Sequence, residues 1–189
     1  MKELLSFIII ITILSSCCTD VYFKENERFW FDNYKQGEQL IFESNRGDLD
    51  TVHITAVIIK KPTGDCNPMV SNYSHEFVRV DYMISKDTFE TLNGWFIQHS
   101  AEPGDKKALP VLRFLNMEYN ESEGALKEEE IEISNGQNEK VFLFDDSNCG
   151  MNYNQKFGLI NFKWHKVRGL VSYENADGEV WKLKLWRQG

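Results

Sequence analysis

The sequence is short of several things, and each shortage narrows the reading. Lys and Arg supply 21 of 189 residues against 29 Asp and Glu, leaving a net charge of −8. Affinity for nucleic acid comes from basic side chains that neutralise phosphates, so nucleic acid is not an expected partner. Ala occurs only at 56, 101, 108, 125 and 176, whereas Phe, Tyr and Trp make up 13% of the chain. That balance disfavours a helical bundle and favours strands. The four cysteines include no Cys-x-x-Cys, which removes a zinc ribbon and a thioredoxin-type exchange site. Gly-x-Ser-x-Gly, a phosphate-cradling Gly-x-x-x-x-Gly-Lys-Ser/Thr and His-Glu-x-x-His are all missing. No catalytic residue, metal or cofactor is therefore expected. The longest apolar run, Leu4–Leu14, falls short of the roughly 20 residues a spanning helix needs. With 42% hydrophobic residues the chain is long enough to bury a core without a metal or disulfide, so disorder is excluded too.

What is present begins at the N-terminus. Lys2 precedes the apolar run, which ends in Leu14-Ser15-Ser16-Cys17. An aliphatic residue, two small residues and a cysteine resemble the lipobox of bacterial lipoproteins, in which the cysteine receives lipid and becomes the mature N-terminus. The resemblance implies a signal peptide over 1–16 and lipidation at Cys17. Residues 17–27 are polar and are expected to tether a β domain spanning 28–189. Cys18 follows Cys17 where an Asp would mark retention at the inner membrane, so the outer membrane is the expected address. Only one acid lies in Cys18-Thr19-Asp20-Val21, which favours a periplasm-facing over a surface-exposed protein.

From Phe29 on, short apolar runs recur between segments rich in Gly, Asn, Asp and Ser. The spacing predicts an all-β fold, a single antiparallel meander of about nine or ten strands. So long a sheet would curl into a barrel, half-barrel or two-layer sandwich. Gln39–Glu43 and Thr51–Lys60 flank a turn and predict a hairpin, with Val52, Ile54, Ala56 and Ile58 on one face. Val78, Val80, Tyr82 and Ile84 alternate with Arg79 and Asp81. Leu92–His99 and Leu109–Tyr119 are expected as one strand each. Glu128–Ser134 and Lys140–Phe144 surround Asn135-Gly136, a favoured hairpin turn. Lys156–Trp164, Gly169–Asn175 and Glu179–Trp186 complete the chain, the last with Trp181, Leu183 and Leu185 facing one way.

Tyr34-Lys35-Gln36-Gly37-Glu38-Gln39-Leu40-Ile41-Phe42, continuing to Gly47-Asp48-Leu49-Asp50-Thr51, and Phe157-Gly158-Leu159-Ile160-Asn161-Phe162 resemble segments of small uncharacterised lipoproteins of the Bacteroidota. With the lipobox the resemblance covers about a quarter of the chain. It implies origin and fold class and assigns no chemistry.

Cys66 and Cys149 both sit in turn-like surroundings and form the candidate disulfide, with two thiols as the alternative. Cys18 is then left over, unbridged or linked to another copy. His53, His75, His99 and His165 are scattered; His99 and His165, each closing a strand that holds a Trp, are the least unsuited bases. Asp48, Asp50 and Thr51, and Asp145-Asp146-Ser147-Asn148, offer oxygen ligands but read first as turn residues. The glutamates between 118 and 132 read as a solvated face. The aromatics, including Phe29-Trp30-Phe31, Trp95-Phe96, Trp164, Tyr173, Trp181 and Trp186, read mainly as core, and otherwise as a lipid cavity or a sugar-binding platform. The expectation is a lipid-anchored, non-enzymatic envelope protein with a binding or assembly role. Its partners would be the membrane and an envelope protein or small apolar ligand. The alternatives are a carrier of a lipid or small apolar ligand in a barrel, and an envelope hydrolase with an unrecognised site.

Overall fold

The computed structural model describes residues 18–65, 71–85, 91–104, 109–122, 124–133, 137–151 and 158–187. The signal segment with Cys17, Cys66 and the Asn135-Gly136 turn lie outside the described residues. Fourteen strands are present among those described: β1 (Thr19–Val21), β2 (Gln39–Ser44), β3 (Leu49–Lys60), β4 (Tyr73–His75), β5 (Phe77–Ser85), β6 (Thr91–Ser100), β7 (Val111–Phe114), β8 (Met117–Tyr119), β9 (Lys127–Ile133), β10 (Gln137–Asp145), β11 (Cys149–Met151), β12 (Leu159–His165), β13 (Gly169–Asn175) and β14 (Val180–Arg187). Twelve form one antiparallel sheet, in the order β11-β8-β7-β6-β5-β3-β2-β14-β13-β12-β10-β9, curled into a half-barrel. The all-β antiparallel expectation holds. Neighbours mostly follow chain order, but β14 returns to pair with β2 and β11 returns to β8. β1 and β4 stand apart as a short parallel pair.

Three features depart from the alternation read in the sequence. In β3 the pairing with β5 shifts between Ile54 and Ala56. A bulge adds one residue and swaps the faces beyond it. Val57 and Ile59 therefore lie opposite the buried Val80 and Val78, while Ile58 lies opposite Arg79. The expected face of Val52, Ile54, Ala56 and Ile58 is broken in the middle. A second bulge, between Leu183 and Leu185, does the same to β14 and leaves Leu185 exposed. The expected strand Leu109–Tyr119 is instead a tight hairpin of β7 and β8, turned at Leu115-Asn116, with Leu115 in the left-handed region at φ +52. Neither turn residue is a Gly, which is why the turn carried no signal.

The expected tether is also folded. Thr19 already pairs with Tyr73, and Val21, Phe23 and Glu27 are buried. Residues 21–38 form a strap with one 3-10 turn at Arg28–Trp30, and it drives Phe23, Trp30, Phe31 and Tyr34 into the concave side of the sheet. Trp30 packs on Phe142 at 5.1 Å and Trp164 at 6.4 Å; Tyr34 meets Phe96 at 5.8 Å and Trp164 at 5.7 Å. The strap thus touches both arms of the sheet. Its backbone polar groups are met by acids: Glu76 accepts the Phe23 N–H at 3.0 Å, Glu27 that of Lys24 and Glu38 that of Lys35, both at 2.9 Å. A buried N–H without a partner would cost about 1–3 kcal/mol, so these carboxylates are what lets an irregular segment lie in a core.

The Leu170 N–H donates to the Tyr34 hydroxyl at 2.9 Å. Gly169, at φ +68, sits so close beneath that hydroxyl that any Cβ would collide with it. Gly169→Ala is expected to lose about 3 kcal/mol and roughly 10 °C in melting temperature. Tyr34→Phe, which removes the obstructing oxygen, should restore part of that loss in the double variant. Thermal unfolding of the four proteins checks this; an unchanged melting temperature for Gly169→Ala would contradict the contact.

Candidate functional site

Inward side chains fill the half-barrel, so a site has to be sought on the outer faces. Phe96, Phe114, Phe144, Phe162 and Trp164 are fully buried and pack ring to ring, Phe96 on Phe114 at 5.5 Å and Phe144 on Phe162 at 4.7 Å. An outward cleft of about 640 Å³ lies across β3, β5, β6 and the β7–β8 turn. It is in the size range of small-ligand sites.

Two bulges build it. The one in β3 places Thr55 at the rim; the other lies in β6, where the register against β5 shifts between Val80 and Asp81. That second bulge sends Phe96 and Ile97 both into the core and sets Trp95 opposite Asp81 on the outer face. Bulges re-aim side chains in this way and gather at sites. Arg79 Nε donates to Asp81 Oδ1 at 2.6 Å, and the Arg113 guanidinium lies 5.7 Å from the centre of the Trp95 ring. Glu118 Oε2 stands 3.9 Å from Arg113 Nε. Leu92 and Leu115 supply apolar wall.

The far wall is held from inside. Tyr82 stacks on Phe96 at 4.2 Å, and its hydroxyl accepts the Leu115 N–H at 2.8 Å, fixing the left-handed turn. Gly94 is opposite Tyr82, where a Cβ would come within 2.8 Å of that hydroxyl. Burial pushes the Tyr82 phenol up to about 12, so it stays protonated. Asn116, at the turn, is 5% exposed, and its Oδ1 has no hydrogen-bond partner among the described residues. Non-Gly backbone at positive φ costs on the order of 1–3 kcal/mol and persists only where its surroundings impose it. A second outward cleft of about 560 Å³ lies over β12, β13 and β14, with Lys163, Lys182, Arg168, Glu132 and Glu174 around it.

The residues singled out from the sequence do not meet here. Cys149 is buried in β11 against β8, its thiol donating to Asn148 Oδ1 at 3.6 Å; Cys66, the other half of the expected bridge, lies outside the described residues. His99 and His165 are not brought together. His99 is 2% exposed, packed on Phe23 at 4.7 Å and Phe31 at 6.5 Å, with Nε2 unpartnered among the described residues. His165 Nδ1 accepts the Val167 and Arg168 N–H groups, each at 3.1 Å, which puts its proton on Nε2, 2.9 Å from Glu139 Oε2. Burial lowers its pKa; the Glu139 charge opposes that, and Arg168 adds to it. The ring thus ties a turn together and faces a single acid. Asp50 accepts the Tyr173 hydroxyl at 2.7 Å and the Thr51 N–H at 2.9 Å, while Asp145 accepts from Lys127 Nζ at 3.0 Å and from the Ser147 N–H at 2.9 Å. Both acids are bound into the fold.

Alternation puts Arg79 and Asp81 on the outer face of their strand but counts Trp95 with the core aromatics, and it marks neither Arg113 nor Asn116. The only available signal was the paired Trp95-Phe96, two bulky neighbours that alternation cannot put on one face.

His99 gives a pH test. Burial, opposed by the charge of Glu27, lowers its pKa from 6.5 to about 4. Between those values the unfolded chain binds more protons, so stability is complete above pH 6.5 and falls as pH drops toward 4, by up to about 3 kcal/mol. Urea unfolding between pH 7 and 5 should show that slope, and His99→Leu should flatten most of it. An equal slope in the variant would contradict a buried neutral ring. No protein-family model, curated protein or solved structure matches the chain.

Proposed function

We propose that this chain is a lipid-anchored protein of the bacterial cell envelope, held at the outer membrane and facing the periplasm, that binds a neutral, hydroxyl-rich ligand of oligosaccharide type without turning it over. The observation that carries the binding role is the outward cleft, where two bulges set a half-buried Trp beside a short Arg–Asp pair. Such exposed ion pairs contribute little stability, about 0–1 kcal/mol, and so have no strong reason to be built on a convex face for the fold's sake. Side by side, Asp81 offers acceptors and Arg79 donors, the pattern that vicinal hydroxyls satisfy, and the Trp95 ring offers the flat apolar surface that a sugar's C–H face covers. The ring contacts within the half-barrel favour this reading over a carrier of apolar ligand, since such a carrier needs its space where Phe96, Phe114, Phe162 and Trp164 pack. The anchor rests on Leu14-Ser15-Ser16-Cys17.

The address and the cleft are tested separately. Cys17→Ser should move the protein from the membrane fraction to the soluble fraction of cell extracts. Calorimetric titration against envelope oligosaccharides should show binding by the natural chain. Trp95→Ala or Asp81→Asn should each weaken it at least about tenfold, the loss of one contact of about 1.4 kcal/mol, with the melting temperature unchanged. Equal binding by all three proteins would remove the cleft from the proposal.

A further inference from the structure

The described residues expose eight large hydrophobic side chains, and four of them gather at one end of the molecule. Tyr22 (55% exposed) follows β1, Tyr73 (42%) opens β4, and Ile58 (38%) and Ile59 (44%) lie near the end of β3. Their proximity follows from pairing. Thr19 lies opposite Tyr73 and Val21 opposite His75; the Thr63 N–H donates to Ser74 Oγ at 3.1 Å, just beyond the end of β3; and Lys60 pairs with Phe77, two residues after β4. Lys60 and Lys61 are exposed at the same end, with Asp20 the exposed acid of β1.

We infer that this end is a membrane-contact face, seated in the headgroup layer of the bilayer that carries the anchor. The inference rests on lipidation at Cys17 and goes beyond it, because an anchor alone leaves a domain free to tumble. The short chain between anchor and fold is what brings this end to the bilayer. Only Cys18 separates Cys17 from β1, so at about 3.5 Å per residue a lipid on Cys17 would leave Thr19 no more than about 7 Å of chain away. No flexible linker intervenes on the β1 side, since β1 is paired from its first residue and Val21 is buried. Chemistry agrees with position. Tyr rings favour the membrane–water boundary, where the ring is shielded and the hydroxyl stays wet, and Lys side chains meet lipid phosphates while their stems cover apolar surface. Lys60 and Lys61 are balanced at this end by the exposed Asp20 and Asp65, so in a chain of net charge −8 this end meets less repulsion from an anionic leaflet than the rest of the surface.

Hydroxyl-radical footprinting tests the face. The lipidated full-length mature protein would be compared in vesicles of phosphatidylethanolamine and phosphatidylglycerol and, as the Cys17→Ser form, in solution. Labelling of Tyr22, Tyr73, Ile58 and Ile59 is expected to fall severalfold on the vesicles, with Leu49, Val167 and Leu185 unchanged. Uniform labelling, or protection centred on Leu49 or Val167, would overturn the face. A second arm keeps the face apart from the anchor: the Cys17→Ser chain, held by an N-terminal histidine tag on vesicles with nickel-chelating lipid, needs no lipidation. The same four residues should be protected there, and failure of that pattern overturns the face even where Cys17 proves to be lipidated. Mass spectrometry of the N-terminal peptide from cells reports on the anchor alone.

Discussion

The packing of one irregular strap against a curled sheet is the constraint on which the rest of the structure depends. A half-barrel has a concave side that must be filled, and neither arm of this sheet can fill it alone. Trp30 and Tyr34 bridge the two arms through Phe142 and Trp164 on one side and Phe96 on the other. Burying each large apolar side chain is worth about 1.5–3 kcal/mol, so the strap's four rings together rival the net stability of a typical domain. Their burial is possible only because Glu27, Glu38 and Glu76 accept the strap's own backbone N–H groups. A polar device therefore underlies the apolar one, and the acids it uses are among the most buried of the described residues.

The bulges couple that interior to the outer surface. Each inserted residue changes which side chains face the core, and each change has a consequence outside. In β6 the bulge that brings Phe96 and Ile97 inward together leaves Trp95 opposite Asp81. In β3 the bulge places Ile58 on the same outward face as Arg79. Ile58 thus shares the outer face of the cleft, while Ile59, opposite Val78, leaves the other side of the same strand end.

Much of the fold was legible. Alternation in Val78, Val80, Tyr82 and Ile84 locates a half-buried strand because β5 itself carries no inserted residue. The hairpin of β2 and β3 follows from turn composition. What could not be read was set by tertiary contacts. The left-handed Leu115 is imposed by the Tyr82 hydroxyl, a residue far away in sequence, so β7 and β8 looked continuous. The burial of Val21, Phe23 and Glu27 depends on Glu76, which local polarity at Lys24, Glu25, Asn26 and Glu27 conceals. The cleft was invisible for the same reason as the bulges, since period-two reasoning assigns Trp95 a face only while the register holds.

The acidic run at the sheet's margin gains a meaning beyond solubility. An open sheet ends in two strands with unsatisfied backbone groups, and such edges recruit copies of themselves. Among the described residues one edge is β11, three residues long, and the other is β9, seven residues long and paired with β10 alone. β9 reads Lys-Glu-Glu-Glu-Ile-Glu-Ile, with Glu128, Glu130 and Glu132 exposed. Two copies approaching edge to edge would set one row of glutamates against another. Crowding, which turns an unguarded strand into the seed of a fibre, instead raises the repulsion between these molecules and keeps each sheet finite.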